Sequence, residues 1–152
     1  VKHMGQPRGL LFAFRQAATS QEDLPAINNL LDQLSSSSHQ INLHEFKRIV
    51  GQEQVFILVA RDKDNKIAGS ATIVIYETLT KLKALIEDVI VDKNHQGQGL
   101  DGNMLKYLIT FAKAKGVFCV DLSSNPESVE ANQLYENLGF KERKTKVCRL
   151  TL

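Results

Sequence analysis

Cysteine is scarce in this 152-residue chain, and the two that occur, Cys119 and Cys148, lie too far apart in sequence to suggest a disulfide framework. No CxxC spacing exists, and none of the four histidines (His3, His39, His44, His95) stands with another histidine or an acid at metal-ligand spacing, so no metal is expected. Cys119 sits in an apolar run and reads as a buried structural thiol; His95 reads as a surface residue. No apolar run approaches the ~18 residues of a membrane span. Gly9 to Phe14 is too short for the apolar region of a signal peptide and runs into Arg15, so a cytoplasmic protein is expected. A net charge of +2 gives no global footprint for nucleic acid. The positive charge is concentrated at one end, where Lys141 to Leu152 carries +4 and leaves −2 for the remainder. That end reads as an edge strand guarded by lysines. Such an edge could pair with a second subunit, which makes a homodimer the assembly to consider. No repeat or domain boundary is visible. His3-Met4 looks like a cloning scar, so residues 1–3 are set aside and 4–152 are read as one domain.

What is present is an alternation of strand and helix signals. Leu10 to Ala17 is apolar and reads as a first strand. Thr19 to Asp23 offers caps and first-turn acids for a helix reaching about Leu34, with Pro25 tolerable only near its first turn. Ser35 to Ser38 is a loop. Asn42-Leu43-His44-Glu45 has capping-box spacing, predicting a short helix to about Val50. Val55 to Arg61 and Ile67 to Tyr76 are apolar, β-branched runs around a polar turn, hence a hairpin. Leu82 to Val91 is apolar on both faces, as in a central strand, but is interrupted by Glu87 and Asp88. A glycine-rich loop spans Asp92 to Gly102. Met104 to Lys115 is a helix with a buried stripe of Leu105, Leu108 and Ala112, and Gly116 suits its C-terminal cap. Val117 to Leu122 is a strand, a helix of about ten residues ends at Gly139, and Phe140 to Leu152 is a final strand or pair of strands.

The glycine loop carries the chemistry. Gly97-Gln98-Gly99-Leu100-Asp101-Gly102 follows a strand and opens a helix. Main-chain N–H groups converge at such a junction, and the helix start adds partial positive charge, so the loop suits a phosphate or pyrophosphate. A dinucleotide site is one reading, because Asp121 lies 19 residues beyond Gly102, where a ribose-binding acid belongs. Against it, Asp92 to Gln96 separate the strand from the glycines, and only 50 residues follow Gly102. A P-loop fails at Asn103, which stands where lysine is required.

A third reading rests on two blocks. Ile86-Glu87-Asp88-Val89-Ile90-Val91-Asp92, followed by Gln96-Gly97-Gln98-Gly99-Leu100, resembles the V-V-D strand end and Q/R-x-x-G-x-G/A loop of the GNAT acetyltransferases. Glu130-Ala131-Asn132-Gln133-Leu134-Tyr135, running on to Gly139-Phe140, resembles the same family's A-N-x-x-L-Y-x-x-x-G-F segment. The resemblance implies an α/β fold, a mostly antiparallel mixed sheet flanked by helices, and transfer of acetyl from acetyl-CoA to a primary amine by direct attack. It implies that the backbone of Val89, Ile90 and Val91 holds the pantetheine arm, that Gln96, Gly97, Gln98, Gly99, Leu100, Asp101 and Gly102 cradle the pyrophosphate, that Asn132 contacts the pantetheine, and that Tyr135 protonates the leaving thiolate. Glu87 is the candidate general base, since a carboxylate inside an apolar strand is costly unless solvated, paired or useful. In a regular strand Asp88 faces the opposite way, though a bulge could exchange the two. Both acids would attract a cationic acceptor, a small amine rather than a protein amine. The departure from the family pattern is Asp101, where Gly or Ala is usual: its carboxylate suits a helix start but repels a bound pyrophosphate unless turned to solvent. A non-catalytic acyl-CoA-binding module and a nucleotide-dependent oxidoreductase are the alternatives.

Overall fold

The structure is a computed structural model and describes residues 11–14, 21–34 and 39–152. The element order is β1 (Leu11–Phe14), α1 (Leu24–Leu34), α2 (Leu43–Val50), β2 (Val55–Arg61), β3 (Ile67–Glu77), β4 (Leu82–Val91), α3 (Leu100–Ala114), β5 (Cys119–Leu122) and α4 (Val129–Asn137). The ends of the expected first strand, the Thr19-Ser20 caps and the Ser35 to Ser38 loop lie outside the described residues.

Local sequence explains most boundaries. Asn42 accepts the Glu45 N–H while Glu45 accepts the Asn42 N–H, each at 2.9 Å, closing the capping box that starts α2. Helix α3 ends at Gly116, whose φ of +75° lets its N–H reach the Lys113 carbonyl and the Val117 N–H reach the Ala112 carbonyl. The Asp62 carboxylate accepts the N–H groups of Asp64 and Lys66, both at 2.9 Å, and so folds the β2–β3 turn.

The five strands form one sheet in the order β1-β2-β3-β4-β5, antiparallel except for the last pair. One face packs on α3: Leu58, Ala60, Ile73, Ala84 and Ile86 cluster with Leu100, Met104, Leu105, Leu108 and Ala112. Val59 and Ile90 are buried outside that cluster, as are Ile27 and Leu30 of α1 and Phe46 of α2, so helices cover the sheet on both sides. Strand β4 is central, as its two-sided apolar pattern predicts. At Gly69 on β3 a Cβ would meet the Ile90 carbonyl oxygen at 2.9 Å and the Met104 sulfur at 3.0 Å, so only glycine admits this approach of strand and helix.

Three expectations change. Helix α3 begins at Leu100, not Met104, because the left-handed turn at Gly99 (φ +71°) already directs the chain into the helix and Asn103 N–H bonds the Gly99 carbonyl at 3.1 Å. Residues 141–152 form no strand: every one is exposed, and none enters a ladder with the sheet. Cys119 is half-buried rather than buried, because β5 is a sheet edge.

Candidate active site

The site arises where β4 and β5 part. Their parallel pairing runs from Lys83–Cys119 to Ile86–Leu122 and stops there. Strand β4 continues for five more residues with β3 on one side only. Its backbone groups on the other side face the gap, and the Gln96 side-chain amide donates to one of them, the Val91 carbonyl, at 3.4 Å.

A bulge sits at this point. Thr72 pairs with Glu87 and Ser70 with Ile90, so Asp88 and Val89 together oppose Ala71. Asp88 takes φ +50°, a left-handed conformation that aspartate tolerates better than β-branched residues do. The bulge reverses the facing of the strand. Ala84 and Ile86 pack toward α3 before it, and Val89 and Val91 do so after it. The acids that interrupt the apolar run therefore fall at the one place where the pleat is broken. Both are exposed and both line a cavity of 260 Å³ together with Ile86, Val89, Leu122, Ser123 and Tyr135, with Leu34 of α1 at its rim. The opposite facing expected of a regular strand is thus replaced by convergence of Glu87 and Asp88 on one hollow. Ser123 and Leu34 join them without any sequence motif pointing to either.

Tyr135, on α4, is half-buried against Phe140, with ring centroids 6.1 Å apart in an edge-to-face arrangement. Burial pushes its phenol above the ordinary tyrosine range, and the nearby Asp101 carboxylate pushes it further in the same direction.

The glycine loop lies beyond the end of β4. Gly97 (φ +74°) and Gly99 (φ +71°) are left-handed, and no atom lies within 4 Å of the position a Cβ would take at either. Their conformation, not crowding, requires glycine. Gln96, Gly97, Gln98 and Gly99 are exposed, and α3 starts without a side-chain cap, leaving the N–H groups of Leu100 and Asp101 unpaired within the helix. This is an open, anion-receptive helix start. The third glycine differs: Gly102 is buried, a Cβ there would meet Leu134 at 3.2 Å, and its N–H is held by the Asp101 carboxylate at 2.8 Å. Gly102 thus serves the packing of α3 on α4. Asn132 donates to the carbonyls of Asn125 and Pro126 at 3.0 and 3.3 Å, bracing the loop between β5 and α4.

His95 is not a surface residue. Its side chain is 23% exposed and lies between two carboxylates, Nε2 at 3.4 Å from Asp62 and Nδ1 at 3.5 Å from Asp92. A more open hollow of 730 Å³ between α1 and α2 is lined by Asn28, Asp32 and Gln40, whose groups are engaged with the Ile41 backbone and with one another.

A parted mixed sheet, a bulged central strand and an anion-receptive loop opening the helix behind it define one class of α/β domain. A family model described as an acetyltransferase (GNAT) domain matches residues 52–142, more than half of the chain, and the protein belongs to that family. A curated relative, the glucosamine 6-phosphate N-acetyltransferase of Trypanosoma brucei brucei, is 34% identical over 79 residues, covering 50% of this chain and 52% of the relative. The chain thus matches about half the length of that relative. Among solved structures, an acetyltransferase from Trypanosoma brucei superposes with a TM-score of 0.77 at 26% identity, covering 94% of this chain and 99% of that one. Glucosamine-6-phosphate N-acetyltransferase from Arabidopsis thaliana superposes with a TM-score of 0.76 at 23% identity, covering 92% and 98%, a likeness of fold.

Proposed function

We propose that the protein transfers the acetyl group of acetyl-CoA to a primary amine by direct attack of the amine on the thioester. The observation that carries this reading is the convergence of Tyr135, Glu87, Asp88 and the unpaired edge of β4 on one cavity beside an anion-receptive loop. The edge of β4 at Val89, Ile90 and Val91 suits an extended amide-bearing arm, which it would pair as a strand pairs its neighbour. Gln96 to Asp101 suit the pyrophosphate through main-chain N–H groups, and Asn132 keeps the adjoining loop in place. In the reaction Glu87 takes the proton from the ammonium, directly or through water, and the freed lone pair attacks the carbonyl carbon. The carbon–sulfur bond breaks, Tyr135 delivers its proton to the departing thiolate, and the second proton shed by the acylated nitrogen returns the tyrosinate to its neutral form. Asp88 adds a second negative charge that favours a cationic acceptor.

A small amine fits best. The cavity holds two carboxylates in 260 Å³, and the curated relative is named for acetylating an amino sugar phosphate. Calorimetry with acetyl-CoA, CoA and NAD tests the cofactor, and thiol release across a panel of amines and amino sugars tests the reaction. Acetyl-CoA binding without thiol release from any amine would select a non-catalytic acyl-CoA-binding module instead. Saturable NAD binding would select an oxidoreductase.

The same reading extends to a homodimer. Residues 141–152 are exposed and outside any helix or strand, with Val147, Leu150 and Leu152 in water, and Arg143 lies 4.0 Å from Asp121 of β5. Strand β5 has β4 on one side and, among the described residues, no strand on the other. An unpaired segment with exposed apolar residues, next to an unpaired edge, is completed by a second copy, each tail adding to the other's β5 in a self-complementary exchange.

A further inference from the structure

The reading of the glycine loop leaves its approach unexplained. The chain reaches the loop through a single 3-10 turn, Lys93 to His95, which is capped by Asp92: its carboxylate accepts the Asn94 N–H at 2.9 Å. Asp92 is held in turn by Gln33 of α1, which donates to its other oxygen at 3.1 Å and accepts the Lys93 N–H at 2.9 Å. On the far side stands Asp62, fixed by the N–H groups of Asp64 and Lys66. These bonds hold both carboxyls below the ordinary aspartate range, led at Asp62 by the bond from the Lys66 N–H and at Asp92 by the bond from Gln33. Two carboxylates are therefore locked in place immediately before a loop that suits an anion, and they would oppose one.

The His95 ring lies between them. Both ring nitrogens face carboxylate oxygens, which accept and do not donate, so the ring can meet either of them only as an N–H donor. Nδ1 is buried and stands just outside hydrogen-bond geometry with Asp92, so a small shift of the turn closes that contact.

We propose that His95 is a positioning residue for the phosphate-binding loop: standing between Asp62 and Asp92, it ties the β2–β3 turn to the turn that leads into Gln96–Gly99. The proposal rests on the reading of that loop as the pyrophosphate site. The groups facing His95 are Asp62 from the β2–β3 turn and Asp92 from the end of β4, with the neutral amide of Gln33 behind Asp92.

The test uses His95→Leu, His95→Gln and the double variant His95→Leu with Asp62→Asn. Acetyl-CoA affinity is read by calorimetry and backbone amide exchange of residues 93–99 by mass spectrometry in the ligand-free protein. His95→Leu is expected to raise Kd about tenfold, the scale of one charge-assisted hydrogen bond, and to speed exchange in the segment. His95→Gln keeps a donor and recovers part of the affinity. The double variant also recovers part, because it removes an unpaired carboxylate. Kd and exchange both within twofold of wild type in His95→Leu would overturn the proposal. If the wild-type protein binds no acetyl-CoA, the functional reading fails, and unchanged exchange would then overturn the positioning role on its own. If His95→Leu does not fold, His95→Gln decides: Kd and exchange of residues 93–99 both within twofold of wild type sink the idea.

Discussion

Replacing Asp101 by alanine is expected to move stability and cofactor affinity in opposite directions. Asp101 lies in the first turn of α3 and its carboxylate accepts the Gly102 N–H at 2.8 Å. A negative side chain at a helix start is favourable, and alanine cannot replace the bond. The melting temperature should therefore fall by about 1–3 °C for a chain of this size. The same carboxylate is exposed beside the loop meant for a pyrophosphate, and it holds one N–H that the helix start could offer an anion. Removing a like charge near a surface site strengthens anion binding, here by about threefold to tenfold at low salt, with the gain shrinking as ionic strength rises. Tyr135 gives a third readout. Asp101 is the second cause of its raised pKa, after burial, so the phenol should titrate at lower pH in the variant while staying above the ordinary tyrosine value. Calorimetry at two salt concentrations, thermal unfolding and ultraviolet titration of the phenol supply the three measurements. An affinity that is unchanged or weaker in Asp101→Ala would refute the argument, since the carboxylate would then be either remote from the anion or part of its cradle.

Four further outcomes follow from the same geometry. Tyr135→Phe should lower turnover by about a hundredfold or more while leaving acetyl-CoA affinity nearly intact, and unchanged thiol release would remove the phenol from the reaction. Gly69→Ala places a methyl against the Ile90 carbonyl and the Met104 sulfur, so it should destabilise the fold by about 1–3 kcal/mol in urea unfolding; a neutral result would mean that β3 and α3 can separate freely. Stability should be flat above the ordinary aspartate range and decline as pH falls through the depressed values of Asp62 and Asp92, because a lowered carboxyl pKa stabilises only while the group is ionised; thermal unfolding from about pH 7 to about pH 3 should show a shallower acid loss in Asp62→Asn. Light scattering should find a dimer that Val147→Asp with Leu150→Asp converts to monomer, and a monomeric wild-type protein would refute the exchange of tails.

Periodicity made the sheet legible. The hairpin of β2 and β3, the two-faced apolar β4 and the stripe of α3 each have one packing solution, and the structure adopts it. The start of α3 was not legible because Leu100-Asp101-Gly102 reads equally as loop or first turn; the left-handed Gly99 decides between them, and φ is invisible in composition. His95 was misread for a related reason. Its partners are 33 residues upstream at Asp62 and three upstream at Asp92, and only the folding of the β2–β3 turn over the end of β4 brings the first of these within reach. The tail was misread because a sequence able to pair is not yet a strand: the strand exists only where its backbone enters a ladder, which residues 141–152 do not.

The parting of β4 from β5 is the feature on which both the proposed site and the proposed dimer rest. Parallel pairing through Ile86 and Leu122 holds the two strands together up to the bulge. At the bulge the pleat reverses, two carboxylates come to one side, and the sheet can no longer continue without leaving main-chain groups unpaired. Such groups tolerate water but favour a partner. On the β4 side the partner suited to them is an extended amide chain with a phosphate tail, because the helix start of α3 lies at the end of the same edge. On the outer side of β5 the partner suited to it is a strand, and the proposed candidate is the exposed C-terminal segment of a second copy. If both edges are filled as the geometry indicates, the strand added to β5 stiffens one wall of the cavity that holds Leu122 and Ser123. Truncation after Lys146 should then weaken acetyl-CoA binding as well as dissociate the dimer, although none of the removed residues touches the glycine loop. A truncated monomer that binds acetyl-CoA as tightly as the full chain would separate the two edges and confine the tail to assembly alone.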